Sequence, residues 1–134
     1  MMTPQINRKL LKQHDLPVGS FYFYENFVVS EIKEGVTMTF ETASKIFELG
    51  KMYFGNTTPF VYISNRVNSY SFDPTAHFKS TALFPNLKGY AVVVYDTIND
   101  RVAKMEQPFM NKPAHIFERL QDAIDWVEEL IPKD

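Results

Sequence analysis

The sequence predicts an α/β fold in which an N-terminal antiparallel hairpin feeds into alternating helices and strands of one mixed sheet. Three observations carry that prediction. The runs Phe21-Tyr22-Phe23-Tyr24 and Phe27-Val28-Val29-Ser30-Glu31-Ile32 are separated only by Glu25-Asn26, which reads as a hairpin. Two later apolar runs, Phe60-Val61-Tyr62-Ile63 and residues 90–95, alternate with helical spacing, as parallel strands joined by helix crossovers do. Leu120, Ala123, Ile124, Val127, Leu130 and Ile131 then form the apolar stripe of a closing helix, which Pro132 ends.

Each element has a local cause. Pro17 and Gly19 make a turn into the first aromatic run, and residues 1–16 either add an edge strand or stay loosely attached. Alternation sends Phe21 and Phe23 to one face, toward the core, and Tyr22 and Tyr24 to the other, a wetter layer. After a short run at 36–40, Ala43, Ile46, Phe47, Gly50 and Phe54 recur at helical spacing over 41–54, and Gly55-Asn56 stops that helix. Asp73-Pro74 predicts a short helix from Pro74 to about Leu83. Asp96 or Thr97 caps the next, whose apolar positions are Ile98, Val102 and Met105, and a last strand is expected at 114–117.

The 134 residues suit one domain, 1–134, with a core that needs no staples. The chain has no cysteine, which excludes disulfides, thiolate metal sites and thiol nucleophiles, and makes the cytoplasm the expected compartment. A formal charge of −2 gives no electrostatic footprint for a nucleic-acid backbone, and no apolar run is long enough to span a membrane. The five glycines build neither a dinucleotide fingerprint nor a phosphate loop, and His14, His77 and His115 lack the pairing of a metal site. No catalytic residue, metal or cofactor is therefore expected.

The candidate site is where the apolar run 60–63 breaks into Ser64-Asn65-Arg66-Val67-Asn68-Ser69-Tyr70. Ligands of open α/β sheets bind beyond the carboxyl ends of strands, so Ser64, Asn65, Arg66, Asn68, Ser69 and Tyr70 are the expected binding residues, on the loops after strands 60–63 and 90–95. A phosphate on Ser64 or Ser69 could be held by Arg66 through charge-assisted hydrogen bonds.

The order of elements, together with the tail His115-Ile116-Phe117-Glu118-Arg119-Leu120-Gln121-Asp122-Ala123-Ile124-Asp125-Trp126-Val127, resembles the small STAS-like proteins related to anti-sigma-factor antagonists. It is similar to the bacterial branch whose fold is also like CRAL-TRIO lipid-binding domains. The resemblance implies a mixed sheet flanked by helices, binding or regulatory roles and frequent dimers. In the phosphorylatable antagonists it implies an Asp-x-Ser motif at a helix start, whereas here Ser64-Asn65-Arg66 has no preceding Asp. The expected function is thus a non-catalytic binding or regulatory module for a small apolar ligand or a protein partner. The alternatives are a phosphorylatable switch, and a structural homodimer that joins through the strand face carrying Tyr22 and Tyr24.

Overall fold

Glu25 and Asn26 turn the chain without a glycine because Asn26 has other work: its side-chain amide donates to the Pro59 carbonyl at 2.9 Å and its own carbonyl accepts from the Val61 amide at 3.0 Å. The turn is thereby stitched to the start of a neighbouring strand. The computed structural model describes residues 8–73, 82–110 and 112–132. Within them the strands are β1 (Lys12–Leu16), β2 (Gly19–Phe23), β3 (Phe27–Ile32), β4 (Thr37–Met38), β5 (Phe60–Arg66), β6 (Ser71–Phe72), β7 (Leu87–Val94) and β8 (Ala114–Phe117). The helices with described bounds are α1 (Ser44–Phe54), α2 (Thr97–Glu106) and α3 (Leu120–Leu130).

Six strands form one sheet in the order β1-β2-β3-β5-β7-β8, with β4 and β6 as a separate parallel pair. β1, β2 and β3 run antiparallel, and β3, β5, β7 and β8 run parallel, so the sheet is mixed as the sequence predicts. The N-terminal segment does supply an edge strand, β1. The helix expected over 74–83 lies almost wholly outside the described residues, as does His77.

The pleat divides the core into two layers. Phe21, Phe23, Phe60, Tyr90 and Val92 face a layer that includes Ile46, Leu49 and Phe54 of α1 and Ala103 of α2. Tyr22, Tyr24, Val29, Val61, Ile63, Ala91 and Val93 face Ala123, Ile124 and Val127 of α3. The tyrosine face is therefore not wet: Tyr22 is 0% and Tyr24 2% exposed. This overturns the homodimer surface expected there, because the chain's own apolar residues already cover both tyrosines. Trp126 packs on the sheet edge, with ring centroids 5.9 Å from His115 and 5.7 Å from Phe117.

α2 and α3 bring their backbones close to β7, whereas α1 is held off the sheet by large side chains. Gly50 faces Phe84 so closely that a Cβ there would sit 2.8 Å from the Phe84 ring. Gly55 ends α1 at φ 57°, in the region that favours glycine, as the sequence predicts. The buried Asn86 amide donates to the carbonyls of Phe54, Gly55 and Thr58, fixing the same end.

α2 contradicts its expected orientation. Ile98 and Met105 are 71% and 74% exposed, while Asn99, Ala103 and Glu106 are buried. Both triplets have the same helical spacing on adjacent stripes. Ala103 is small enough to let the helix close on β7, Asn99 bonds the capping Asp96, and Glu106 has a charged partner on β5.

Candidate functional site

β5 does not stop at Ile63. It pairs with β7 through Arg66, with Ser64, Asn65 and Arg66 opposite Val92, Val93 and Val94. The expected loop thus begins three residues late, because these polar side chains are satisfied inside the protein: Ser64 is 6%, Asn65 4% and Arg66 3% exposed. Strand alternation sends them to opposite faces.

Ser64 and Arg66 lie on the α1 and α2 face. The Ser64 hydroxyl shares a hydrogen bond with the Tyr70 hydroxyl at 2.9 Å and accepts from Arg66 Nε at 3.2 Å. Arg66 also lies over the Tyr70 ring, 5.2 Å from its centroid, and its Nη1 is 2.5 Å from Glu106 Oε2. That approach is a charge contact, not an aligned hydrogen bond, and neither Glu106 oxygen has a hydrogen-bond partner among the described residues. Burial pushes the Glu106 carboxyl up, and Arg66 only partly opposes it. Burial likewise raises the Tyr62 and Tyr70 phenols, so both stay neutral and able to donate.

Asn65 points to the α3 face. Its amide donates to Glu31 Oε2 at 2.9 Å, Tyr22 donates to Glu31 Oε1 at 3.2 Å, and Tyr95 donates to Asn65 Oδ1 at 2.5 Å. Glu31 is 3% exposed, and burial pushes its carboxyl up against the pull of the Asn65 and Tyr22 hydrogen bonds. Tyr95, half exposed, connects this row to solvent.

Of the six expected residues, Ser64, Arg66 and Tyr70 converge. Asn65 belongs to the other face. Asn68 donates to the Ile32 carbonyl at 3.0 Å, and the Ser69 amide donates to Glu34 at 3.0 Å, so both tie the loop to the turn after β3. None of the six lines the apolar cavity described next.

That cavity, of about 80 Å³, lies between α1 and the sheet. Its walls are Ile46, Phe47 and Phe54 of α1, Phe23, Phe60, Tyr62 and Tyr90 of the sheet, and Phe84 at one side. Phe54 and Phe60 stack at 4.2 Å, and Phe84 meets Phe60 edge-on at 5.4 Å. Sequence reasoning passed over the phenylalanines of this wall because aromatic residues at helical and strand spacing look like core. The surplus of aromatics was the available signal. The second expected loop, after residue 95, contributes nothing to the cavity, since the β7 residues that line it, Leu87 and Tyr90, lie earlier in the strand. Among the described residues no group of three or more acidic or histidine side chains is placed to hold a metal, and no helix is long and apolar enough to cross a membrane.

No family model matches the chain, and no curated protein matches it. A solved structure is similar: an uncharacterized protein of the DUF3478 family with a SpoIIAA-like fold from Shewanella loihica PV-4, at 14% identity and a TM-score of 0.51, over 95% of this chain and 99% of that one. The likeness runs nearly end to end in both chains and agrees with the hairpin, the parallel strands and the closing helix described above. The chain therefore has the SpoIIAA-like fold, which is the STAS fold of the anti-sigma-factor antagonists.

Proposed function

We propose that the chain is a non-catalytic binding module that holds a small apolar molecule between α1 and the sheet. The cavity carries this reading. Protein interiors are packed like organic crystals, and an apolar void of 80 Å³ costs about 2 kcal/mol at roughly 24 cal/mol per Å³ if left empty. An occupant offsets that cost. The SpoIIAA-like fold supports a binding or regulatory role at the same coarse level. The cytoplasm is the compartment that a cysteine-free chain suits.

Native mass spectrometry of the purified protein, with thermal shift across an apolar panel, tests the reading. Retained mass or a rise in Tm is expected, and Ala43→Leu, which pushes three carbons into the cavity, should abolish it. A clean apo mass with no thermal shift in any arm counts against the reading.

Regulation by phosphorylation ranks second, and exposure favours Ser69 as its site. Ser69 is exposed, whereas the Ser64 hydroxyl is buried between Tyr70 and Arg66. A phosphopeptide map showing Ser69 unmodified across growth conditions would remove that reading.

A further inference from the structure

We propose that the cavity selects a neutral molecule no larger than a single aromatic ring and rejects ionised ones. This rests on the binding reading above and adds the ligand's charge and size.

Every described side chain lining the cavity is uncharged. The polar exceptions to its apolar walls are two phenols, Tyr62 and Tyr90, and the Tyr62 hydroxyl is engaged by Ser30. An anionic head would need a cation. Further along the same face of β5 the cation is Arg66, and Glu106 at 2.5 Å already neutralises it. The other candidate, Lys51, lies 4.5 Å from the Phe84 ring centroid, and its ammonium is held by the Leu83 carbonyl and the Asn56 side chain. Among the described residues a carboxylate in the cavity would therefore find no free counter-charge, and burying one unpaired is strongly unfavourable.

A cation fares no better. An aromatic box attracts cations through ring faces, yet Phe54 and Phe60 spend facing surfaces on each other, 2° from parallel, and Phe84 stands 80° to Phe60. The Phe84 ring also already carries the Lys51 ammonium.

Size follows from volume. An apolar cavity of about 150 Å³ is known to hold benzene. At about 80 Å³ this one must nearly double, by α1 moving away from the sheet, to reach that size. Two fused rings would require a still larger displacement than one.

Ligand-observed NMR and calorimetry on the full chain at neutral pH test this with benzene, benzyl alcohol, benzoate, benzylammonium and naphthalene. Benzene and benzyl alcohol should bind at least about tenfold more tightly than either ion or naphthalene. Ala43→Leu and, independently, Val28→Leu should remove benzene binding. Benzoate or benzylammonium binding as tightly as benzene overturns the charge selection, and naphthalene doing so overturns the size limit; either result leaves the binding reading standing. Failure of all five probes overturns the reading itself. Undiminished benzene binding in both folded variants overturns the cavity as its site.

Discussion

Arg66 of β5 and Glu106 at the end of α2 meet at 2.5 Å with side chains only 3% and 4% exposed, so the last turn of α2 is fastened to the sheet by an ion pair shut away from water. Such a pair gains little over apolar packing, because both ions give up hydration, but breaking it leaves an uncompensated buried charge. Glu106→Ala should therefore cost about 3–5 kcal/mol in urea unfolding, and Arg66→Met combined with Glu106→Leu should recover most of that loss or exceed wild type. If Glu106→Ala costs under about 1 kcal/mol, the pair is better hydrated than its burial indicates.

Glu31 predicts a pH effect of definite sign. Its carboxyl is raised above the ordinary glutamate value of 4.5 by burial, so the folded chain holds this proton to higher pH than the unfolded chain does. Its contribution to stability is fully present below 4.5 and declines as pH rises through the raised value. Glu31→Gln should remove a slope of at most about 1.4 kcal/mol per pH unit across that window. Chemical denaturation of both proteins from pH 4 to 8 measures the difference. A variant curve parallel to wild type would show that Asn65 and Tyr22 fully compensate the burial.

The reversed amphipathicity of α2 gives a third expectation. Ile98→Lys and Met105→Lys, on the exposed stripe, should each change stability by no more than about 0.5 kcal/mol. Ala103→Leu, at a site with no exposure, should cost about 1–3 kcal/mol by forcing the helix off β7. Thermal melts decide it, and the opposite ranking would mean that the helix sits on its apolar stripe.

The fold was legible wherever burial follows polarity. The β2 and β3 hairpin, β8 and α3 stand where their patterns place them, because Phe21, Phe23, Ile124 and Val127 are apolar and inside. Reading failed where buried positions are polar. Ser64, Asn65 and Arg66 look like a loop because nothing in the local sequence reveals their partners Tyr70, Glu31 and Glu106, which lie 6, 34 and 40 residues away. The same blindness turned α2 around, since choosing Asn99 and Glu106 over Ile98 and Met105 requires knowing that Arg66 waits beneath. That Ser64, Arg66 and Tyr70 would converge could not be read from the sequence, which leaves convergence and a splayed loop equally open, and the cavity was not legible either, because its walls use the residues an ordinary core would use.

The polar end of β5 also acts as a registration key. Sliding the strand by one residue would invert every side chain, turning Arg66 away from Glu106 and toward the α3 layer, and Asn65 away from Glu31. An apolar strand such as Val92-Val93-Val94 would barely distinguish the two alignments, since both faces accept valine. Three hydrophilic residues at the heart of the sheet make the wrong alignment incur two stranded charges at once. What looks like wasted hydrophobic surface is what makes the correct pairing of β3, β5 and β7 singular.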